Sequence, residues 1–394
     1  VIPELRKQFN QRWTPAKYAE FLALLAHDSA GPMQFRCNET PVFLPTDLLE
    51  KMIRYGQELY AQLAANPEYL KRADATIPAQ FKVPNEDPHP LFVQADFGLV
   101  RGEDGNLEPK LVEIQGFPSA YAMQPSIARQ YRRVYDIHDH LTSFLGGLRE
   151  SAYAALLKEA IVGKHDPKEV ILLEVDPYAQ KTLPDFILTS KQTGIRIADI
   201  AHVKKEGRKL FFEGVPVKRI YNRVIVDELV RKNVETGFHF NDDLDVEWAG
   251  HPNWFFKLSK FSLPFFNHEC VPATWFLSDL KPLPENLDEY VLKPLFSFAG
   301  LGVNISPSAE DIAAIPEAER NQYILQRKMN FVPTLETPHG PTKVEIRIMY
   351  IRDGEELRAV TTLIRTGRGK MMGVDFNKGL EWTGASAGFN WKPR

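Results

Sequence analysis

Cysteine is nearly absent from this chain of 394 residues: Cys37 and Cys270, far apart, are the whole complement. Two such residues make neither a disulfide framework nor a zinc site. Both read as buried thiols, which fits a reducing compartment. No apolar run is long enough to span a membrane, and the opening VIPELRKQFNQRW lacks the apolar core of a signal peptide. A cytoplasmic location without a membrane partner is therefore expected. The formal net charge of −3 leaves no basic field, which argues against nucleic acid as a partner. Internal repeats and low-complexity tracts are lacking, although the 29 prolines are spread along the chain. The histidines do not fall into metal spacing, and no Ser-His-Asp or Cys-His grouping can be argued.

What is present is an ordinary globular composition, 44% hydrophobic and 25% charged, at a length that implies two or three domains. The first ninety residues read as helical. TPAKYAEFLALLAHDSAG has Thr14 as an N-cap, Pro15 in the first turn and Gly31 as a stop, and the run from Thr46 carries Leu48, Leu49, Met52, Ile53, Leu59 and Leu63 at helical spacing. LFVQADFGLV and KLVEIQGF then form a hairpin around an Asp-Gly turn. A helix is expected over 124–161, which would put His138 and His140 on different helix faces. EVILLEVD, a helix that tolerates Pro184, and IRIADI follow as strand, helix, strand, the mark of a small α/β domain. After about 250 the strands become long and antiparallel in type, with RDGEE as the turn between two of them.

Several stretches carry candidate chemistry, each with a plainer reading beside it. In YVLKPLFSFAGLGV, Lys293 stands at a strand end before Gly300 and Gly302. A phosphate cradle needs a cation and close backbone approach, although an ordinary hairpin has the same look. That loop has neither the Walker order nor the dinucleotide GxGxxG spelling. Lys260 lies upstream, where a lone lysine is usually a solvated surface group. YILQRKM ends in Gln326, Arg327 and Lys328, which could read an adenine edge or simply end a strand at the surface. Glu113 and Gln115 share a strand face by the period of two; a carboxylate and an amide oxygen suit Mg²⁺, or a solvated outer face. Arg365 ends an apolar strand, where it could clamp a carboxylate or a phosphoryl group, and WTGASAGF offers small residues for close approach or forms a flexible tail. Arg223 stands a face step from Tyr221 and could equally be a surface arginine.

The order of these stretches resembles an ATP-grasp ligase. The early Glu-x-amide strand resembles the circularly permuted arrangement of eukaryotic-type glutathione synthetases, and more distantly glutathionylspermidine synthetases. The likeness covers roughly 91–394, and QADFGLV, KLVEIQGFPS, KRIYNRV, YVLKPLFSFAGLGVN, YILQRKM and IRTG with GASAG carry it. It implies a multi-domain α/β (α+β) protein: an ATP-grasp fold with an antiparallel sheet and a lid, plus a small parallel α/β substrate domain. The expected division is 1–164 for the helical region with the Glu-x-Gln hairpin, 165–250 for the substrate domain, 251–335 for the lid region and 336–394 for the last sheet and small-residue loop.

The resemblance also implies roles. Lys260 and Lys293 would contact ATP phosphates, with Gly300 and Gly302 letting the lid close. Gln326, Arg327 and Lys328 would meet the adenine and Glu345 the ribose. Glu113 and Gln115 would ligate Mg²⁺. Arg365 would steady a carboxylate substrate and its acyl phosphate, Arg223 would hold another carboxylate, and Asp96 and Ser119 would lie on the substrate side. ATP and Mg²⁺ are the implied cofactors, a small-molecule carboxylate and an amine the implied partners, and a homodimer is compatible with this. The implied reaction forms an acyl phosphate and then an amide.

Three positions depart from the family pattern: its Asn is Gln115, its metal-binding acid four residues after the lid lysine is Ser297, and the arginine ahead of its aspartate is Gln94. The departures leave open another acid such as Asp96, a single metal, or nucleotide binding without turnover. An ATP-dependent carboxylate–amine ligase and a catalytically lapsed nucleotide-binding protein thus stand side by side, with an unrelated scaffold as the reading in which the motif order is coincidence.

Overall fold

A computed structural model of the chain describes residues 2–296 and 301–393, with the side chains of 374 and 375 left aside. Gly300 and Ser297 therefore lie outside the described residues. Helices α1 (Pro3–Arg12) and α2 (Pro15–Asp28) open the fold, and the Thr14 hydroxyl accepts the Lys17 N–H as a cap at 3.2 Å. After strand β1 (Val42–Phe43), α3 (Thr46–Ala64) buries the expected stripe of Leu48, Leu49, Met52, Leu59 and Leu63. The helical run breaks at Asn66-Pro67. Asn66 caps a new helix, α4 (Pro67–Asp74), because the proline brings no N–H and its fixed φ suits a first turn.

Strands β2 (Phe92–Arg101) and β3 (Leu107–Gln115) form the expected hairpin. The single helix expected over 124–161 is two: α5 (Met123–Tyr135) and α6 (Glu150–Val162), with β4 (Leu141–Thr142) between them. Asp136 ends α5 in the left-handed conformation, and Gly146 and Gly147 also take positive φ. His138 and His140 thus lie in the connection, their rings stacked 4.7 Å apart.

The next block is the expected α/β unit. Strands β5 (Val170–Glu174), β6 (Arg196–Asp199), β10 (Arg219–Asn222) and β11 (Glu247–Ala249) form a parallel sheet in the order β11-β10-β5-β6, with α7 (Leu183–Thr193) as a crossover. Strands β7 (Lys204–Glu206), β8 (Lys209–Phe212) and β9 (Val215–Val217) form a separate antiparallel meander inserted before β10. Every residue of β5 is buried, as a strand covered on both faces requires.

The rest of the chain is antiparallel. Strands β12 (Thr274–Phe276), β13 (Tyr290–Pro294) and β14 (Tyr323–Arg327) form one sheet in the order β12-β14-β13. Strands β15 (Pro333–Leu335), β16 (Thr342–Asp353), β17 (Glu356–Gly367) and β18 (Gly384–Ser386) join the early hairpin in the order β18-β17-β16-β2-β3, with β15 on β16. One face of this sheet (Ala95, Phe97, Ile346, Ile348, Ile364) packs on α3. Strand β19 (Gly388–Trp391) lies between β1, parallel to it, and β4. Cys37 and Cys270 are buried free thiols, and burial pushes both up to about 12. Among the described residues no helix is long and apolar enough to cross a membrane. The chain is a mixed α/β, multi-domain protein with parallel and antiparallel sheets, as expected.

Candidate functional site

The other face of the large sheet carries a polar patch, and strand periodicity builds it. Gln94 and Asp96 of β2 point the same way, and register sets Gln94 opposite Gln115, Asp96 opposite Glu113, Arg347 opposite Asp96, and Glu345 opposite Arg365. Four strands from both ends of the sequence thus contribute to one surface.

Asp96 is the hub, and it is buried. It accepts from Arg347 Nε and, at 2.7 Å, from Arg347 Nη2 in a forked pair; Arg365 Nη2 donates to the same carboxylate. Arg347 Nη1 also donates to Gln94 Oε1 at 2.8 Å, and Gln94 Nε2 donates to the Ser119 carbonyl at 2.8 Å. The Gln115 amide lies against the same guanidinium. Gln115 Nε2 donates to Gln94 Oε1 at 2.8 Å, and turning the amide would instead set its oxygen 2.9 Å from Arg347 Nη1 and Nη2. Arg365 reaches on to Glu345 Oε1 at 2.6 Å.

The electrostatics follow from burial. Desolvation alone would raise the Asp96 carboxyl, but Arg347 and Arg365 together outweigh it and hold it below the usual carboxylate range. Desolvation wins at Glu345, which is raised despite Arg365. Arg365 itself is held above its ordinary value, because Glu345, Asp96 and Glu113 overcome its own desolvation.

Two lysines face this patch from the neighbouring elements. Lys293, on β13, is buried; its ammonium donates to Gln326 Oε1 at 2.6 Å and lies 3.3 Å from the Val112 carbonyl of β3. Burial, helped by Lys260 and opposed by Glu113 and Glu345, lowers it to about 8. Lys260 opens a 3₁₀ turn (Lys260–Phe265) capped by Ser259, and its ammonium stands 3.9 Å from Glu113 Oε1. Gly116, directly after the Glu-x-Gln strand, makes this approach possible. A Cβ there would sit 2.8 Å from the Trp254 carbonyl, so only glycine lets the segment leading to Lys260 lie against β3.

The structure thus brings together Asp96, Glu113, Gln115, Lys260, Lys293, Gln326, Glu345 and Arg365. Gln326 joins the cluster through Lys293, and the remaining expected residues stand apart. Gln326 is a buried bridge between Lys293 and Thr274 Oγ1, 3.0 Å away. Arg327 pairs with Glu289 at 2.8 Å, and Lys328 donates to the Asp288 carbonyl and the Ser306 hydroxyl, both at 2.9 Å. Gly302 takes φ +72 and sits against Pro294. Ser119 meets the patch through its carbonyl. Arg223 is buried at the end of β10 and donates to Asp185 at 3.1 Å; Asp185 in turn accepts the N–H groups of Ala120, Ala122 and Met123 at the start of α5.

Sequence reasoning missed Arg347, the most connected residue of the patch. The available signal was KVEIRIMYI, where Glu345 and Arg347 alternate with apolar residues and must share a face.

The donor set can be tested against Mg²⁺, a hard cation that demands oxygen ligands in near-octahedral array. Asp96 is held by two arginines, Glu345 by Arg365, and the Gln115 amide lies between Gln94 and Arg347. Glu113 remains, beside an ammonium. Among the described residues no three His, Cys, Asp or Glu side chains are grouped to hold a metal. Glu113 and Gln115, expected as its ligands, therefore do not make a divalent-cation site as they stand.

No protein-family model matches the chain, and no curated protein matches it in sequence. Its fold is similar to that of a glutathione synthetase-like effector (GSS30) from Globodera pallida, solved in apo form. The match is 12% identical, spans 95% of this chain and 96% of that one, and has a TM-score of 0.60. The chain has a glutathione synthetase-like fold.

Proposed function

We propose that the chain is an ATP-grasp protein of the permuted type that binds a nucleoside triphosphate between β13 and the large sheet. One observation carries this reading: Lys293 is a desolvated ammonium that converges with Lys260 and Arg365 on one polar face. Its hydrogen-bond partners are a neutral amide and a carbonyl, and Glu113 and Glu345 only partly offset its burial, so an anion in direct contact would complete the site. Phosphate oxygens would do so. Gln326, Arg327 and Lys328 at the end of β14 would then lie by the base and Glu345 by the ribose. The similar structure belongs to a protein called an effector, which supports separating this fold from a synthetase activity. A thermal-shift titration with ATP tests the reading. A rise in Tm that is lost in Lys293→Ala is expected, and no shift at millimolar ATP would overturn it.

A second reading is the carboxylate–amine ligase. It is favoured by Arg365, which remains half-buried beside the small-residue strand β18, paired with Ala385. A carboxylate oxygen would attack the γ-phosphorus, releasing ADP and leaving an acyl phosphate steadied by Arg365. An amine would then displace phosphate to give the amide. Arg223, Asp96 and Ser119 would serve the substrates. ADP release across a panel of amino acids and γ-glutamyl peptides separates this reading from binding alone.

A further inference from the structure

We propose that Arg347 stands in for a divalent cation, so that the cradle holds the phosphates of a nucleotide without a metal ion. This rests on the nucleotide-binding reading above and adds to it how the phosphate charge is met.

The first argument is saturation. Arg347 donates to both oxygens of Asp96 and to Gln94 Oε1, and the Gln115 amide lies against the same guanidinium. These are the uncharged and anionic oxygens that a hard cation would take, and one planar guanidinium occupies them all. The second is fixity. Arg347 lies inside β16 and is only 7% exposed, so it does not swing aside as a surface arginine would. The third is the charge count. Lys260, Lys293, Arg347 and Arg365 set four positive groups against the three carboxylates of Asp96, Glu113 and Glu345. The patch is already cationic and complementary to a polyanion. The fourth is a vacancy for an acceptor: Arg365 Nε is buried and, among the described residues, has no hydrogen-bond partner. A metal placed here would need to break the Arg347 bonds and stand beside a guanidinium. A phosphate would only need to accept from donors already in place.

Calorimetric titration of the full chain tests this, with ATP in excess EDTA and with ATP in excess Mg²⁺. Dissociation constants within fivefold of each other are expected. Binding more than fivefold tighter with Mg²⁺ would overturn the metal-independent cradle while leaving nucleotide binding intact. No binding in either buffer would overturn both. Arg347→Met supplies the second readout. If Arg347 replaces the cation, the variant loses at least tenfold affinity in EDTA and regains most of it with Mg²⁺. An equal loss in both buffers would mean that Arg347 only holds the sheet together, and the proposal would fail. The wild-type comparison stands by itself should the variant not fold.

Discussion

Asp96 and Arg347 face each other across the β2–β16 register and are joined by a forked pair of hydrogen bonds in a buried setting. Each offsets much of the other's buried charge, with Arg365 as a second cation on Asp96. Removing one partner leaves an uncompensated buried charge, at a cost of about 3–5 kcal/mol. Asp96→Asn should therefore lower the free energy of unfolding by that order, measured by urea titration. Asp96→Asn with Arg347→Gln should recover a large part of the loss in a double-mutant cycle. Additive losses would show that the two residues do not act as a pair.

Lys293 gives the ligand a pH dependence. Its pKa in the free protein is lowered to about 8 by burial, and a bound phosphate would raise it. Between those two values binding takes up a proton, so affinity is full below about 8 and falls as pH rises beyond it. ATP affinity should weaken by roughly 25-fold between pH 7.5 and 9.5, since one pH unit is worth about 1.36 kcal/mol for a full proton. Lys293→Arg should bind with a flat profile over the same range. A flat wild-type profile would remove Lys293 from the phosphate contact.

Gly116 sets the distance between Lys260 and Glu113. Gly116→Ala places a methyl against the Trp254 carbonyl and should displace the 254–260 segment, costing about 1–3 kcal/mol. It should also weaken ATP binding. Gly31→Ala meets nothing within 4 Å and serves as the control. If both substitutions behave alike in thermal melts and ATP titrations, the close approach at Gly116 does not position the lysine.

Glu174, at the end of β5, carries a separate prediction. Burial raises it to about 8, against the partial opposition of Arg223. The folded state then holds a proton that the unfolded state gives up above its ordinary value near 4.5. Stability from this group is full below 4.5 and is lost as pH rises toward 8. Glu174→Gln keeps an oxygen for the Val175 N–H and should stabilise the protein by roughly 2–4 kcal/mol more at pH 7.5 than at pH 4.5. A pH-independent difference in urea midpoints would place the carboxylate in contact with water.

Much of this was legible in the sequence because local periodicity carries it. The β2–β3 and β16–β17 hairpins have apolar alternation and Asp-Gly turns, and the run Val170–Glu174 reads as a strand covered on both faces. The helix over 124–161 was read too long because Asp136 can turn left-handed without announcing it as glycine does. The patch itself was partly legible. Glu113, Lys293 and Arg365 are each at the end of a strand signal, whereas Arg347 sits mid-strand between Ile346 and Ile348 and looks like a residue facing water. What makes it central is a register across 251 residues, set by sheet order, which no local window contains.

The pairing of β1 with β19 has a consequence for the order of assembly. Val42 and Leu44 donate to the carbonyls of Ala387 and Phe389, Asn38 donates to Ala385, and Ser386 donates to Thr40. Among the described residues the segment 38–44 pairs with 385–390, so this pairing forms only once 385–390 has been made. Contacts of such long sequence separation are slow to form, so this pairing is expected to follow the local hairpins β2–β3 and β16–β17.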